Sequence, residues 1–329
     1  MKIIDEMHKE RLDSILILNP INITYLCGFK PSSPSILMVK DETVLFTSKM
    51  DIEGAIINSK IPVEDFKSLD EIKNLLKGTI GIEGSMTLET FERLKKGSSF
   101  KTKITNIPER LRRVKSNDEL KNIKKAIDIA ENSMNKIELK ESMSENELAA
   151  QIEYKMRING SNKAAFDTIV ASDTRSSLPH AEASNNPLKN PVVIDWGAVY
   201  NNYCSDTTRT IIETEKHEEI FEIVLEAQKK AIDVIKPGIK VSYVDKVARD
   251  VIEEYGYGDS FIHSTGHGVG LEVHESPSLS KRYETKLEKG MVITVEPGIY
   301  LKDEFGVRIE DMVQVKNKGR VLNKIKKKI

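Results

Sequence analysis

Cysteine and tryptophan are scarce in this sequence. The 329 residues include 2 cysteines and 1 tryptophan, and aromatic residues make up 6% of the chain. Cys27 and Cys204 lie far apart, so they provide neither a disulfide framework nor a short-spaced metal-binding pair. The composition therefore excludes a disulfide-rich small protein and a structural zinc site built from cysteines.

An excess of charge of either sign is also missing. The chain has 50 Lys+Arg and 51 Asp+Glu, for a formal net charge of -1. That balance argues against a protein dedicated to nucleic acid or to a membrane surface. No apolar run approaches the roughly 18–20 residues that span a bilayer, and the segment MKIIDEMHKERLD is too charged for a secretory signal. We therefore expect a cytoplasmic protein that binds neither nucleic acid nor membrane.

The length predicts about two domains. In residues 1–112, the strand-like runs SILIL, ILMV and TVLF alternate with polar helical stretches, which indicates a small α/β domain. In residues 113–329, helices and hairpin-like pairs of strands come in blocks, which is typical of an α+β fold. Two helix starts in this second domain carry a Ser-x-x-Glu capping box, at Ser116 and at Ser144.

The end of the chain is strongly basic. Seven lysines and arginines and no acidic residue lie between Lys316 and Lys328. Such a run is found in nucleic-acid and lipid-binding patches, but in a neutral protein a solvated terminal strand with a frayed end is the better interpretation.

Two aspartates lie on a predicted β-hairpin in the stretch VVIDWGAVYNNYCSDTTRT. Asn201 and Asn202 are typical of a two-residue turn. With that turn, Asp195 pairs with Thr208, and Asp206 is their diagonal neighbour on the same face. A four-residue loop would instead pair the two aspartates directly. Either register places two carboxylates side by side, which is destabilising unless a cation lies between them, whereas a single aspartate in a turn would point to solvent.

A second predicted hairpin carries two glutamates. The strand MVITVE ends at a Pro-Gly step, a polar loop follows, and the chain returns through GVRIED. A loop centred near Asp303 brings Glu296 opposite Glu310, although the Pro-Gly step could add a bulge and shift the register. Two acidic pairs on two hairpins indicate a metal site.

Histidine is scarce as well, and five of the six histidines fall between residues 180 and 274. Three of these lie in the glycine-rich stretch FIHSTGHGVGLEVHE, where packing alone does not explain them, although any single one could be a buried histidine bonded to the backbone. We expect the glycines of this stretch to leave room for a ligand or metal around His267. These glycines are Gly266, Gly268 and Gly270. Four carboxylates with one imidazole form an oxygen-rich set that suits manganese, cobalt, iron or zinc.

Seven short motifs follow one another along the second domain: LPH (178–180), VVIDWGA (192–198), CSDTTRT (204–210), STGHGVG (264–270), VHESP (273–277), TVEPGIY (294–300) and VRIED (307–311). In order and residue type they resemble the metal-dependent Xaa-Pro peptidases, the prolidases and aminopeptidases P, which are related to methionine aminopeptidase and creatinase. The stretch NITYLCGF (22–29) is similar to the creatinase-type amino-terminal domain of that family. The resemblance covers the whole chain. It implies a pita-bread catalytic domain after a smaller ribonuclease-H-like domain, and a homodimer.

The resemblance also implies two divalent metal ions, manganese or cobalt before zinc or iron. Their implied ligands are Asp195, Asp206, His267, Glu296 and Glu310. Of these, Asp206 and Glu310 would bridge the two ions. Such ions would generate a hydroxide that attacks the carbonyl before proline in an Xaa-Pro dipeptide.

Further residues take catalytic and substrate roles by the same resemblance. His180 and His274 match the catalytic histidines that contact the scissile carbonyl and the leaving nitrogen, and Glu296 is the candidate proton acceptor. His263 matches a histidine that lines the substrate pocket or supports the site residues from behind. Arg308 matches an arginine that orients its neighbours, and the alternative for it is a surface residue of a strand.

One motif departs from the prolidase pattern. Several prolidases carry an arginine directly after HESP that binds the dipeptide carboxylate, and this chain has Ser278 there. We expect Lys281, Arg282 or Arg308 to supply that cation. The alternatives are an Xaa-Pro aminopeptidase acting on longer peptides and a metal-free, creatinase-like or non-catalytic relative. The extra amino-terminal domain argues against methionine aminopeptidase.

Overall fold

A six-stranded sheet forms the centre of residues 1–112, the first of two units into which the chain divides. The computed structural model describes residues 1–140 and 142–328. The strand order is β4-β3-β2-β1-β5-β6; β2 runs antiparallel to both neighbours, and the other pairs are parallel. The strands are β1 Ser14–Ile17, β2 Ile36–Val39, β3 Val44–Thr47, β4 Val63–Asp65, β5 Thr79–Glu83 and β6 Lys101–Thr105. The helices are α1 Lys2–Lys9, α2 Pro20–Cys27, α3 Ile52–Asn58, α4 Leu69–Asn74, α5 Leu88–Lys95 and α6 Ile107–Arg113.

The predicted strands SILIL, ILMV and TVLF are therefore confirmed as β1, β2 and β3. Their side chains are buried on both faces of the sheet in two apolar clusters, which explains why the runs are continuously apolar rather than alternating.

The second unit begins at Arg113 and mixes four long helices with short antiparallel strands. Its helices are α7 Asn117–Met134, α8 Glu145–Ile158, α9 Glu215–Asp233 and α10 Val241–Glu254. Its strands are β7 Ile169–Ser172, β8 Val192–Trp196, β9 Val199–Tyr200, β10 Tyr203–Cys204, β11 Thr207–Ile211, β12 Gly266–Gly268, β13 Glu275–Leu279, β14 Val292–Val295, β15 Gly298–Leu301, β16 Phe305–Arg308, β17 Asp311–Val315 and β18 Gly319–Val321. This content confirms the predicted α+β class, and the capping boxes at Ser116 and Ser144 are both formed.

The two helix pairs cover different sheets. The apolar faces of α9 and α10 pack against β14 to β17, and those of α7 and α8 pack against β7 and β8. The sheets are β11-β8-β7 and β13-β12-β14-β17-β18, and the hairpins β9-β10 and β15-β16 extend their strands. Because helices occupy these faces, polar side chains of the strands are left to gather on the remaining ones.

The first predicted hairpin has the two-residue turn. Asn201 and Asn202 both adopt positive φ, 48° and 69°, as a type I′ turn requires. In the ladder, Asp195 pairs with Thr208, which confirms the predicted register and contradicts the four-residue loop. Asp206 therefore lies on the same face of the hairpin as Asp195.

The second hairpin keeps one register along its whole length. Val295 pairs with Asp311 below the Pro-Gly step, and Leu301 pairs with Phe305 above it. Both pairs are centred on Asp303, so the step adds no bulge, and Glu296 faces Glu310 as predicted.

The basic end of the chain is not frayed. Leu322 and Ile325 are each only 8% exposed, and Asn323 donates and accepts hydrogen bonds with two different strands. The prediction of a frayed end is therefore wrong, because two apolar side chains among the lysines anchor this segment. Both cysteines are buried. Within the described part of the chain, no helix combines the length and the hydropathy needed to cross a membrane.

Candidate active site

One cavity of about 530 Å³ in the second unit is lined by all nine residues predicted as metal ligands, catalytic residues or substrate-pocket residues. They are His180, Asp195, Asp206, His263, His267, His274, Glu296, Arg308 and Glu310. The first hairpin contributes two of the carboxylates, the second contributes two more, and β12 with its flanking loops contributes three histidines. The fold therefore brings these residues together; their chemical roles are taken up under the proposed function.

The centre of the cavity is a group of three potential ligands. One ligand atom each from Asp206, His267 and Glu310 lies within 4.8 Å of the other two. His267 Nε2 is 3.6 Å from Asp206 Oδ2 and 3.1 Å from Glu296 Oε1. Asp195 and Glu296 stand at the edge of this group. Two acids and one imidazole within this distance are the donor set of a divalent cation.

The acids at the centre are poorly neutralised. Burial, together with the neighbouring carboxylates, raises the pKa of Asp206 and of Glu310 well above the usual value. Burial also raises the pKa of Asp195, against the lowering effect of Arg308. Asp195 Oδ1 and Glu310 Oε1 are buried without a hydrogen-bond partner among the described residues. Unpaired buried carboxylate oxygens are costly unless a cation binds them.

Glu296 is the charged member of the acidic group. Burial acts to raise its pKa, but the hydrogen bond and charge of His267 prevail and lower it to about 2. The same contact raises the pKa of His267 despite the burial of the ring. Without a cation, His267 therefore serves as the counter-ion of Glu296.

Arg308 is the cation that organises the opposite wall. Its residue is 3% exposed, and Nη2 donates to Asp195 Oδ2 at 2.8 Å. Nη1 donates to Tyr300 Oη at 2.8 Å, and Nε donates to Thr208 Oγ1 at 3.1 Å. Arg308 is therefore not a surface residue of its strand. Its guanidinium is buried because Asp195, Thr208 and Tyr300 all offer hydrogen-bond acceptors to it inside the protein.

Tyr300 is a site residue that the sequence reasoning missed. Its hydroxyl lies 2.9 Å from His263 Nε2, and burial raises the pKa of the phenol to about 12. Burial lowers the pKa of His263. Tyr300 belongs to the motif TVEPGIY, and it pairs with Gly306 in the second hairpin. These two features could have identified it from the sequence. Tyr300 thus links His263 to Arg308.

His180 and His274 lie at the open side of the cavity. Both are exposed, and the ring of His274 is 4.3 Å from the ring of His267 in an edge arrangement. Partial burial and then the proximity of His267 lower the pKa of His274. Two exposed imidazoles beside the buried acids can contact a molecule entering the cavity.

The glycines around His267 have a different purpose from the predicted one. A Cβ at Gly266 would overlap the carbonyl oxygen of Thr294, and one at Gly268 would lie 2.6 Å from the carbonyl oxygen of Ser276. They allow close approach of the neighbouring strands rather than of a ligand. This backbone packing fixes β12, and with it His267.

The cations expected near a substrate carboxylate are placed unfavourably. Lys281 and Arg282 are exposed and are not among the described residues that line the cavity. Arg308 lines it, but its guanidinium is already engaged. Ser278, which stands where the family arginine was expected, does line it.

A buried ion pair supports the loop of His274. Lys115 Nζ lies 3.1 Å from Glu275 Oε2, with the two side chains 1% and 5% exposed. Glu275 Oε1 also accepts the backbone N–H groups of Leu271 and Glu272. No local pattern predicts this ion pair, because 160 residues separate Lys115 from Glu275.

The donor chemistry fits divalent metal ions. Four carboxylates and one imidazole converge, two of the carboxylate oxygens have no partner among the described residues, and the central acids resist ionisation without a counter-charge. Fold and site together define a class, an α+β protein whose cavity holds a carboxylate-rich candidate site for divalent metal ions.

Comparison with known families narrows this class. Residues 121–317 match metallopeptidase family M24, and residues 1–114 match the creatinase/prolidase N-terminal domain. The chain belongs to metallopeptidase family M24. It is therefore a hydrolase that uses divalent metal ions. The prediction of a creatinase-type amino-terminal domain followed along the chain by a pita-bread domain is confirmed.

Similar proteins cover almost the whole chain. The Xaa-Pro dipeptidase of Pyrococcus furiosus is 45% identical over 97% of this chain and 95% of its own length. The crystal structure of the prolidase from Pyrococcus horikoshii superposes with a TM-score of 0.94 at 44% identity, covering 99% of this chain and 97% of that one. An X-Pro aminopeptidase structure from Thermotoga maritima gives a TM-score of 0.90 at 36% identity, covering 100% of this chain and 98% of that one.

Proposed function

We propose that this protein hydrolyses the bond before proline in Xaa-Pro dipeptides, using two divalent metal ions. The observation that carries the proposal is the convergence of four carboxylates and His267 on one cavity. The similarity to Xaa-Pro dipeptidases over nearly the full length supports the substrate class. Metal-free relatives lose such ligands, whereas this chain has a metal-binding residue at each of the five positions.

Five residues would hold the metal ions: Asp195, Asp206, His267, Glu296 and Glu310. Manganese or cobalt suits this oxygen-rich set, with zinc or iron as alternatives. When bound, such ions lower the pKa of a coordinated water and polarise the scissile carbonyl. Arg308 would keep Asp195 ionised and oriented through its 2.8 Å hydrogen bond.

The other cavity residues would act on the substrate. His180 and His274 lie where they can contact the scissile carbonyl and the leaving nitrogen. A proline nitrogen has no N–H in the peptide and must gain a proton to leave, which a histidine can deliver. Glu296 is the candidate acceptor for the proton of the attacking water. His263 would line the substrate pocket.

The test of this proposal is hydrolysis of Met-Pro and Leu-Pro by chelator-treated protein reloaded with Mn²⁺ or Co²⁺. We expect no activity before loading and full activity after it. Met-Ala serves as the control substrate and should be cleaved poorly. Full activity of the chelated protein, or equal cleavage of Met-Ala, would contradict the proposal.

A second candidate is an Xaa-Pro aminopeptidase that accepts longer peptides. It is favoured by the position of Lys281 and Arg282 away from the described cavity lining and by the similarity to the Thermotoga maritima structure. A desolvated charge pair contributes about 1.5–3 kcal/mol. If a cation meets the dipeptide carboxylate, amidation or a third residue lowers kcat/KM about tenfold or more. Equal or better cleavage of a Met-Pro-Xaa tripeptide would favour the aminopeptidase.

We further propose that the protein is a homodimer, on the basis of the family resemblance. We also propose a cytoplasmic location, on the basis of the sequence composition and its balanced charge. Light scattering on the purified protein tests the first, and a monomer at micromolar concentration would contradict it. Cell fractionation tests the second.

A further inference from the structure

Arg209 is fully buried on the strand that follows Asp206. A guanidinium has five N–H donors, and each of them makes a hydrogen bond here. Nε donates to the carbonyl of Lys326 at 2.8 Å, and Nη2 donates to the carbonyl of Ile325 at 3.1 Å. The remaining acceptors are Thr208 O at 2.8 Å, Glu310 O at 2.5 Å and Asp311 Oδ1 at 2.9 Å.

Arg209 points away from the cavity. Its neighbour Thr208 faces the site, because Thr208 Oγ1 donates to Glu310 Oε2 at 2.8 Å and accepts from Arg308 Nε. Successive side chains of a strand alternate between its faces, so Arg209 lies on the opposite one. It contacts the backbone of Glu310 but not the space in which a substrate would bind.

The acids of the site belong to two different sheets. Asp206 precedes β11 of one sheet, and Glu310 precedes β17 of the other. A backbone hydrogen bond joins the two sheets here, in addition to the side-chain contacts: Glu310 N donates to Thr208 O at 3.1 Å. Arg209 adds contacts to both strands, so it fixes the backbone of each acid relative to the other.

The C-terminal segment completes this connection. Asn323 Oδ1 accepts from Met312 N at 2.7 Å on β17, and its Nδ2 donates to Thr207 Oγ1 at 2.8 Å on β11. Lys324 N donates to Glu131 Oε1 at 2.7 Å, which ties the segment to α7. The segment thus holds the same two strands that Arg209 holds, from the side opposite the cavity.

We propose that Arg209 and the segment Asn323–Lys326 form a positioning element that sets the spacing of Asp206 and Glu310, and through it the metal affinity. This inference rests on the proposed function, in which these two acids are metal ligands. Groups that orient ligands from outside typically change metal affinity or activity about 10- to 100-fold when removed. A brace that served stability alone would leave the metal affinity of the folded protein unchanged.

The experiment measures the dissociation constant of Mn²⁺ by competition with a chelator, and kcat and KM for Met-Pro at saturating Mn²⁺. The variants are Asn323→Ala, a chain ending after Leu322, and Arg209→Lys, which retains the charge with at most three donors. We expect Mn²⁺ binding about tenfold or more weaker for the first two variants. Arg209→Lys should lie between them and the wild type, with KM at saturating Mn²⁺ little changed in all three.

The matched control is Glu145→Gln, because Glu145 is a buried hub of hydrogen bonds from Ser172, Ser184 and Arg175 that lies on neither ligand strand. It should lower Tm without changing Mn²⁺ affinity. The inference would be overturned if the variants bound Mn²⁺ as tightly as the wild type. It would also be overturned if they bound Mn²⁺ no more weakly than a Glu145→Gln protein of equal Tm. If the shortened chain does not fold, Asn323→Ala decides alone. A wild type that binds no Mn²⁺ would instead refute the proposed function.

Discussion

At the scale of single residues, the site depends on acids that are buried almost without compensation. Asp206 and Glu310 are 4% and 1% exposed, and burial with repulsion from neighbouring carboxylates raises the pKa of both. Arg308 is engaged mainly with Asp195, so it does not neutralise the centre. A divalent cation removes this repulsion, which makes each central charge important for binding it.

We expect Asp206→Asn to abolish both metal binding and peptidase activity. The amide removes one negative charge and one coordinating oxygen from the central group. Elemental analysis of purified protein and hydrolysis of Met-Pro measure the two effects. Asp167→Asn is the matched control, because Asp167 lines the same cavity but is exposed and outside the central group. An Asp206→Asn protein with normal metal content and turnover would refute the assigned role.

We expect His180→Ala and His274→Ala to lower kcat while the metal content stays close to that of the wild type. Both residues lie outside the proposed ligand set, and acid–base groups typically contribute about 100- to 10,000-fold to the rate. Steady-state kinetics and metal analysis on the same samples distinguish the two effects. His8→Ala is the control, because the side chain of His8 is exposed on α1 of the first unit. Loss of metal in either variant would reassign that histidine as a ligand.

At the scale of elements, the two hairpins were predictable from the sequence, and the contacts between distant segments were not. Alternation, the Asn-Asn turn and the loop near Asp303 were enough to place Asp195 beside Asp206 and Glu296 beside Glu310. The contacts of Arg209 and Lys115 could not be predicted, because their partners lie 101 to 117 and 160 residues away. Nothing in the local pattern selects such partners.

We expect Gly266→Ala to destabilise the second unit and weaken metal binding. The added methyl group would overlap the backbone carbonyl of Thr294, so β12 must move away from β14 and carry His267 with it. Overpacking of this kind costs about 1–3 kcal/mol. Urea unfolding and Mn²⁺ titration measure the two effects. Gly84→Ala is the control, since its Cβ would meet Ile104 at an ordinary 3.6 Å. Equal behaviour of both variants would show that β12 adapts without cost.

At the scale of the whole molecule, the fold and the family could be predicted from motifs spread over nearly the full chain. The packing of the basic C-terminal segment could not be predicted from them. The basic end appeared solvated in the sequence because lysines dominate it. In the structure Leu322 and Ile325 are buried, and the neighbouring backbone carbonyls accept hydrogen bonds from Arg209. A pair of apolar residues at this spacing was too weak a signal to set against seven cations.

We expect metal removal to lower the stability of the protein as well as its activity. An ion that binds only the folded chain stabilises it by about 2.7 kcal/mol at one hundred times its dissociation constant. Tm should therefore fall after chelation and rise again with added Mn²⁺ or Co²⁺, in parallel with activity. Mg²⁺ at the same concentration checks for a general salt effect. A Tm that is independent of Mn²⁺ while activity returns would contradict this coupling.

The two hairpins also determine where the chain can change in length. Their tips, Asn201 and Asp303, are exposed and lie several residues from the acids. Extra residues inserted there leave both legs of a hairpin paired as before. One residue added within β16, between Phe305 and Arg308, turns Glu310 to the opposite face, because side chains alternate along a strand. Related chains can therefore lengthen these hairpins at the tips, whereas the number of residues in the paired strands must stay constant.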